Sequence, residues 1–333
     1  MKILFLQQKE YFSELGVEFK GYDATFGCII SFNIYKNIAK YDLVVSCIDH
    51  DKDARKIIEA ANRIAIPTVF LMDGVYDITN AKENPLLRKL GVKLLEPFIY
   101  ANIFVLGESF VSYLQGKHDV NAIDYLPLRA SLNIENTKNI SDSALITTAI
   151  TPYFNQEERK TLIIWLKKVI AVLTKHSISY ETRIFDRNIL NELSIDESLN
   201  RVSCSLSDAI GMHKNIICTP STVIHSLSKY NVNNLCLNFR KEALLYNTNI
   251  SVNDLANIES SILKLIDDDY DSVLDGRVNI GVNLLEHTYK TFKCDNSGIK
   301  NNKFYFSVNF FLRTIYKKMP NKLAKKIKKI ITR

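Results

Sequence analysis

The chain has 333 residues, of which 47% are hydrophobic and 24% charged, with only 11 Gly and 7 Pro. This balance is typical of a folded protein with a sizeable core and excludes disordered, collagen-like and low-complexity chains. The formal net charge is +7, yet residues 303–333 alone hold ten Lys or Arg and no acid, so the rest of the chain carries a net charge of −3.

No apolar stretch reaches the length of about 18 residues that a membrane-spanning helix needs. The longest, from Leu94 to Leu106, is interrupted by Glu96 and Pro97. Residues 2–7 have too short an apolar core for a signal peptide, so we expect a cytoplasmic protein. The cysteines are scattered without a CxxC motif, which predicts reduced thiols; they are Cys28, Cys47, Cys204, Cys218, Cys236 and Cys294.

In the first part of the chain, short runs rich in Val, Ile and Phe alternate with stretches of helical period, as in a parallel sheet covered by helices. Apolar residues at helical spacing predict a helix over 51–64. A polar, Asn- and Ser-rich stretch without periodicity, 131–143, predicts a linker, so we expect a first domain over 1–130. Its predicted strands are 2–7, 42–48, 67–72, 102–106 and 122–126.

The same alternation restarts after the linker and predicts a second domain over 144–302. Asn155, with Glu158 three residues later, is a helix-start signal. The two halves together predict an α/β fold of two Rossmann-like, doubly wound domains. The predicted strands are 144–150, 179–185, 215–219 and 234–239, and the predicted helices are 156–175, 205–212 and 221–229.

Residues 303–333 predict a basic amphipathic C-terminal helix. Apolar side chains recur at helical spacing from Leu323 to Ile331, and lysines fill the other positions. Such a helix suits the interface of an anionic membrane, where each exposed lysine contributes about 1 kcal/mol. We expect a peripheral location on the inner face of the cell membrane, with a solvated charged helix or a nucleic-acid patch as alternatives; the acidic body disfavours nucleic acid. The membrane-facing lysines are Lys322, Lys325, Lys326, Lys328 and Lys329.

Ligands of doubly wound domains bind at the carboxyl ends of the strands. After strand 215–219 the chain reads Thr219-Pro220-Ser221-Thr222 and enters a helix, whose free N–H groups and positive dipole end suit a phosphate. We therefore predict Ser221, Thr222 and Thr219 as phosphate contacts, with plain N-capping by Ser221 as the alternative. The Walker and GxGxxG fingerprints are absent.

The segment Ser205 to Phe239, SLSDAIGMHKNIICTPSTVIHSLSKYNVNNLCLNF, resembles the donor-nucleotide half of GT-B-fold glycosyltransferases. More narrowly, it is similar to a bacterial capsule and lipopolysaccharide group that includes sialyltransferase-like and glycerophosphotransferase-like enzymes using CMP- or CDP-activated donors. The resemblance implies a GT-B-like pair of domains, donor phosphates on Ser221 and Thr222, and neither cofactor nor metal. His225 stands where many members have Glu, and the strand ending at Asp186 lacks the His-Pro of several sialyltransferase-like families.

In the first half, Asp73 follows strand 67–72 and precedes Gly74. A carboxylate at this place can accept a proton from a sugar hydroxyl, and it resembles the Asp-Gly element in the acceptor half of the sialyltransferase-like families. We predict Asp73 as the general base, with a simple Asp-Gly turn as the alternative. The predicted acceptor contacts are Gly74, Tyr76, His50 and Glu108.

Several further residues are candidates for the cleft between the domains. In the resembling enzymes the loop after the first strand of the second half faces the donor, which implies roles for Thr148, Thr151 and Asn155, although Asn155 is also the predicted cap. Asp186 and His225 are the other two candidates. The acidic run 49–53 has the oxygen ligands that Ca²⁺ or Mg²⁺ prefers, but a capped helix start explains it better and we predict no metal.

These features predict a glycosyltransferase that moves a sugar from a nucleotide-activated donor to a glycan or lipid-linked glycan, with inversion. The resemblance favours a CMP-linked acidic sugar as donor and lipooligosaccharide, O-antigen or capsule as acceptor. A nucleotide-sugar epimerase, a glycerophosphotransferase and a non-catalytic, membrane-peripheral binding protein of the same fold are the alternatives. No nucleic-acid partner is expected.

Overall fold

The structure is a computed structural model that describes residues 1–27, 34–91, 94–131, 141–229, 232–267 and 280–284. Within these residues the chain forms two parallel β-sheets, one of six strands and one of five, each packed against helices.

The first sheet contains β1 (Lys2–Phe5), β2 (Asp23–Phe26), β3 (Leu43–Ser46), β4 (Thr68–Leu71), β5 (Asn102–Val105) and β6 (Asn121–Asp124). Its strand order is β2-β1-β3-β4-β5-β6, so the winding direction reverses between β1 and β3. The helices of this domain are α1 (Lys9–Glu14), α2 (Ile34–Ile38), α3 (Lys52–Arg63), α4 (Ile78–Glu83), α5 (Pro85–Leu90) and α6 (Glu108–Gln115).

The second sheet contains β7 (Ser141–Thr147), β8 (Tyr180–Arg183), β9 (His213–Cys218), β10 (Asn233–Leu237) and β11 (Ile250–Val252). Its order is β11-β10-β9-β7-β8, so the reversal lies between β7 and β9. The helices are α7 (Gln156–Lys175), α8 (Arg187–Leu193), α9 (Leu206–Gly211), α10 (Thr222–Lys229) and α11 (Ile258–Asp267). The α/β class with two doubly wound domains, predicted from the sequence, is confirmed.

The central strands are buried along their whole length, which explains why they read as continuous apolar runs. All four residues of β3, β4 and β5 are buried. Strands of a parallel sheet that is covered on both faces need apolar side chains on both sides. This is the pattern from which the sequence analysis located them.

The start of α7 carries the predicted cap. The Asn155 side-chain oxygen accepts a hydrogen bond from the Glu158 N–H at 2.9 Å. The Glu158 carboxylate in turn accepts from the Phe154 N–H at 2.8 Å. The reciprocal cap of a helix start is therefore present, with the carboxylate reaching one residue further back than in the simplest form of the motif.

Two short edge strands were not predicted from the sequence, and two domain boundaries differ from the predicted ones. Strands β2 and β11 lie at sheet edges, and β2 is only half-buried, so their hydrophobic signal is weak. Strand β7 begins at Ser141, inside the predicted linker 131–143. Its first residue pairs with His213 through a register irregularity that ends at Ala144, and backbone pairing of this kind needs no apolar side chain.

Residues 280–284 belong to the first domain, although the sequence analysis placed them in the second. Val282 forms a bridge with Val17 and is 3% exposed in the core of the first domain. The crossing is tight, because a Cβ on Gly281 would lie 2.5 Å from the Gly16 carbonyl oxygen. Both glycines have positive φ, a conformation that other residues rarely adopt.

The thiols that the structure describes are free: Cys47, Cys218 and Cys236 are buried and Cys204 is half-buried. This confirms the prediction for these four, whereas Cys28 and Cys294 lie outside the described residues. The basic tail 303–333, with its five candidate lysines, also lies outside them. In the part of the chain that is described, no helix has both the length and the apolar character to cross a membrane.

The packing of α7 predicts a contrast between two neighbouring positions. Leu166 is fully buried, and truncation to Ala should destabilise the second domain by about 2–5 kcal/mol because a cavity remains. Ile164 is 55% exposed, and Ile164→Ala should change stability by no more than about 0.5 kcal/mol. Trp165, the only tryptophan, is 4% exposed in the same helix, so urea unfolding followed by its fluorescence measures both variants. Equal losses would contradict the observed orientation of α7.

Candidate functional site

A cavity of about 220 Å³ opens at the carboxyl ends of β3 and β4. Four of the predicted site residues line it together: His50, Asp73, Gly74 and Tyr76. They come from two separate loops that the parallel sheet brings to the same edge. The other lining residues are Cys47, Ile48, Asp49, Phe70, Met72, Val75, Asp77, Asn80, Leu94 and Leu95.

Asp73, the predicted base, lies directly after β4 at the mouth of this cavity. Its side chain is 66% exposed, and one carboxylate oxygen accepts a hydrogen bond from the Arg129 guanidinium at 3.1 Å. Arg129 also donates to the Asp73 carbonyl at 2.5 Å. The arginine therefore holds both the backbone and the side chain of this residue, a partner that the sequence analysis did not identify.

The cavity wall beside Asp73 contains two groups that are neutral at physiological pH. Burial raises the pKa of the Cys47 thiol to about 12. The charge of Asp73 adds to this increase, and the charge of Arg129 opposes it. Burial and then the neighbouring Tyr113 raise the pKa of Tyr76 to about 12. Tyr76 also stacks on Phe110, with ring centroids 4.9 Å apart. These two side chains form a fixed neutral surface and are not sources of charge.

In the second domain, the predicted donor residues meet at the carboxyl ends of β7 and β9, where the winding direction reverses. The Thr219 hydroxyl accepts a hydrogen bond from the Ala149 N–H at 3.0 Å and so joins the two loops. Thr148 is 4% exposed, and its buried hydroxyl has no hydrogen-bond partner among the described residues. Ser221 precedes α10 and is half-exposed. The reversal of a doubly wound sheet is the usual ligand crevice of such a domain.

The two edges face each other and are in contact. The Thr222 hydroxyl of the second domain accepts a hydrogen bond from the Val75 N–H of the first at 3.3 Å. A Cβ at Gly74 would lie 2.8 Å from the same hydroxyl oxygen, so any larger residue here would displace the Thr222 side chain. Asp73 is thus separated by one residue from the segment that contacts the start of α10.

A buried ion cluster continues this contact, and no motif in the sequence indicated it. Arg240, 7% exposed at its side chain, donates to Asp77 of the first domain at 2.7 Å and to Glu158 of the second at 3.3 Å. Glu242 lies 3.8 Å from the same guanidinium. The Glu242 carboxylate also accepts from the N–H and the hydroxyl of Thr79 at 3.0 and 3.1 Å. We call these residues, Arg240, Asp77, Glu158, Glu242 and Thr79, the domain seam.

The carboxylates of the seam outnumber its single guanidinium. Burial raises the pKa of Glu242, and the charge of Asp77 raises it further, whereas the Thr79 hydrogen bonds and Arg240 oppose the change. Arg240 also lies over the rings of Phe154 and Phe239, at 4.9 and 5.0 Å from their centroids. Its signal in the sequence was its place just after β10, the same rule that located Ser221.

Other predicted residues are occupied by the fold. Asn155 caps α7 as described above. Asp186 caps α8 and accepts from the Tyr153 hydroxyl at 2.7 Å; although partial burial acts in the opposite direction, these hydrogen bonds hold the pKa of Asp186 below its ordinary value. His225 is 3% exposed, and its ring lies 3.8 Å from the Asp124 carboxylate of the first domain. It is a buried contact between the domains.

Two predicted residues lie apart from the cavity. Glu108 begins α6 and is exposed, and it is not among the cavity residues. Thr151 is exposed in the loop between β7 and α7. Among the described residues, no group of three His, Cys, Asp or Glu is arranged to hold a metal ion.

No protein-family model and no curated protein matches the sequence. Among solved structures, the chain is similar to the UDP-GlcNAc 2-epimerase of Methanocaldococcus jannaschii, with a TM-score of 0.50 and 12% identity over 85% of this chain and 96% of that one. A putative UDP-N-acetylglucosamine 2-epimerase from Listeria monocytogenes has a TM-score of 0.49 and 10% identity over 84% and 92%. The spinosyn rhamnosyltransferase SpnG, complexed with thymidine diphosphate, has a TM-score of 0.45 and 12% identity over 80% and 92%.

The likeness to the Methanocaldococcus enzyme extends over both domains and shows the fold. The chain therefore has two Rossmann-like domains in a GT-B-like arrangement, as predicted. Their facing carboxyl edges form the candidate site.

The domain seam predicts a large effect for the removal of its cation. Arg240→Ala leaves three carboxylates in a buried contact without a cation, which should cost about 3–5 kcal/mol. Lys241 is exposed and has a positive φ of 56°. Lys and Ala have nearly the same conformational cost in this backbone geometry, so Lys241→Ala removes a neighbouring charge and should leave stability almost unchanged. Urea unfolding followed by Trp165 fluorescence compares the two variants. A similar effect of both would show that Arg240 does not act through the seam.

Glu242 predicts a pH dependence of stability. Because its folded pKa is raised, the native state binds this proton more tightly than the unfolded state, so its contribution falls as pH rises from about 4.3 through the folded pKa. Glu242→Gln should therefore be more favourable relative to wild type at pH 8 than at pH 5. Glu157→Gln, whose side chain is 84% exposed, should show no such trend. Unfolding midpoints across this pH range give the measurement; a difference that stays constant would contradict the assignment.

Proposed function

We propose that this chain is a glycosyltransferase that binds a nucleotide-activated sugar at the carboxyl edge of its second domain and an acceptor at that of its first. The observation that carries the proposal is the contact of Val75 with Thr222. It brings the start of α10, the kind of place that binds phosphate, beside the loop that bears Asp73. Donor phosphate and acceptor base are then neighbours across one cleft.

On the donor side, α10 is a helix of eight residues, and Ser221 directly precedes its N-terminus. Its unpaired N–H groups and dipole favour a phosphate, and hydroxyl groups add donors without bulk. Among the described residues the Ser221 hydroxyl has no hydrogen-bond partner, and neither has that of Thr148. The Thr222 hydroxyl only accepts in its bond with the Val75 N–H, so its own O–H can still donate to a phosphate oxygen, and Thr219 positions the loop through Ala149.

On the acceptor side, Asp73 accepts the proton of the attacking hydroxyl while the new bond forms at the anomeric carbon. The bond from that carbon to the phosphate oxygen breaks, and the nucleotide leaves with the bonding electrons. Such an in-line displacement inverts the anomeric centre. Arg129 fixes the carboxylate at the cavity mouth, so the reaction gains from orientation as well as from proton transfer.

The finer assignments follow the sequence resemblance. We propose a CMP-linked acidic sugar as donor, a surface glycan of the lipooligosaccharide, O-antigen or capsule type as acceptor, and no metal or cofactor. The basic tail, which lies outside the described residues, would hold the enzyme at the inner face of an anionic membrane. Membrane attachment suits a lipid-linked acceptor.

A nucleotide-sugar 2-epimerase is the second candidate, because the Methanocaldococcus protein of similar fold is one. That reading uses the same nucleotide site and needs no acceptor. Glycerophosphotransfer, and nucleotide-sugar binding without turnover, are the remaining alternatives. Product analysis separates them: a transferase releases nucleotide only when an acceptor is present, and an epimerase changes the sugar without releasing it.

The donor site predicts a selective stabilisation by nucleotide. Thermal unfolding against CMP, CDP, UMP, UDP, GDP and ADP should show a shift for one base, since a ligand at 100 times its Kd stabilises by about 2.7 kcal/mol. Ser221→Ala should reduce this shift, and the double variant with Thr222→Ala should abolish it. Thr174→Ala, an exposed hydroxyl in the last turn of α7, is the matched control. The absence of a shift with every nucleotide would overturn the donor site.

A further inference from the structure

The cavity beside Asp73 has a size that limits what enters it. Its volume of about 220 Å³ corresponds to about seven water molecules at about 30 Å³ each. This is room for one sugar ring, and the remainder of a larger ligand would extend out of the cavity mouth. The cavity lies wholly in the first domain and ends at the proposed base, so the ring that enters it carries the attacking hydroxyl.

The charged groups of the lining are mainly carboxylates. Asp49, Asp73 and Asp77 line the cavity, with His50 as the one side chain among the described lining residues that can carry positive charge. The arginines that pair with these carboxylates, Arg55, Arg129 and Arg240, are not among those lining residues. A second negative group inside the cavity would therefore face carboxylates first.

Asp49 is a fixed part of this wall. It is 4% exposed, and its carboxylate accepts from Arg55 at 2.5 Å, from the Tyr100 hydroxyl at 2.9 Å and from the Leu95 N–H at 2.6 Å. Asp77 is held in the same way by the Asn80 N–H at 2.8 Å and by Arg240. Neither carboxylate can turn away from an anionic ligand without breaking these bonds.

The remaining lining is apolar or neutral, including the rings of Phe70 and Tyr76 and the side chains of Ile48 and Met72. Carboxylate oxygens accept hydrogen bonds from hydroxyl groups, while apolar and aromatic walls pack against the C–H faces of a ring. A polyhydroxylated ring without phosphate or carboxylate satisfies both kinds of surface. An anionic sugar would satisfy only the second.

We infer that the cavity receives a single uncharged sugar ring, the terminal unit of the acceptor, and that an acidic sugar is excluded from it. The inference rests on the proposed function, because it takes Asp73 as the base for that ring. It adds that the acidic sugar of a CMP-linked donor stays outside the cavity, on the side of the second domain.

The test uses the full chain and four probes: a methyl hexopyranoside, a methyl hexosaminide, a methyl hexuronate and a hexose 6-phosphate. Binding is followed by saturation-transfer difference NMR, with and without the nucleotide that stabilises the protein most. The neutral glycoside should bind at millimolar concentration. The two anionic probes should bind about tenfold more weakly, an effect between that of one like-charge contact at about 4 Å in bulk water and the larger effect near a protein surface. Equal or tighter binding of either anion, or no binding of the neutral glycoside, would overturn the inference.

Two variants of His50 locate the effect in this cavity. His50 is exposed at the rim, so neither change disturbs the core. His50→Lys adds a permanent positive charge and should bring the anionic probes to within about threefold of the neutral one. His50→Gln, the uncharged control, should keep the full discrimination. If both variants behave as wild type, the probes bind elsewhere and the inference is wrong.

The measurements with added nucleotide distinguish whether the bound sugar ring belongs to the acceptor or to the donor. An acceptor ring should bind together with that nucleotide and remain bound when nucleotide sugar is added. Displacement by a nucleotide sugar, but not by the free nucleotide, would show that the cavity holds the donor's own sugar, against the acceptor assignment. Failure of the proposed function itself is read separately, from the absence of a thermal shift of the wild-type chain with every nucleotide, a measurement that involves no sugar probe.

Discussion

Arg240 connects the two domains at the place on which the rest of the candidate site depends. Its guanidinium forms ion pairs with Asp77 of the first domain and Glu158 of the second, and the Arg240 side chain is only 7% exposed. A charge buried to this extent is stable only with close partners, so the two loops must approach each other. Asp77 lies four residues after Asp73, and the ion pair therefore fixes the direction in which the loop after β4 crosses the cleft.

The segment after β4 contacts the second domain at three successive points. Val75 meets Thr222, Asp77 meets Arg240 and Thr79 meets Glu242. Between the first two of these points, Tyr76 turns towards the first domain and stacks on Phe110. One short segment therefore contacts the second domain and lines the cavity of the first domain at the same time.

The two faces of the cleft differ in chemistry. The first domain presents carboxylates, which accept protons from hydroxyl groups. The second presents hydroxyls and helix N–H groups, which donate to phosphate oxygens. Parallel strands bring all these groups to the carboxyl edges of their sheets. The chemical division therefore follows from the amino acids in the loops, while their meeting follows from the fold.

The sequence by itself determined the class of fold and most of the elements. Buried parallel strands need apolar residues on both faces, and α7 has its own capping residue, Asn155. The strands and the helix start can therefore be predicted from residues that are close together in the sequence. Edge strands β2 and β11 are less buried and left too little signal. The rule that ligands bind after strands also selected Asp73, Gly74, Tyr76 and His50, which line one cavity.

Only the tertiary structure decided which of these residues have partners. Arg129 and Asp73 are 56 residues apart, and Arg240 and Asp77 are 163 apart. No local pattern records such pairs, because the sheets and the contact between the domains bring them together. The same holds for residues 280–284, whose return to the first domain depends on the close approach of Gly281 to Gly16. Hydrophobic periodicity acts between near neighbours in the chain, whereas hydrogen bonds and ion pairs act between neighbours in space.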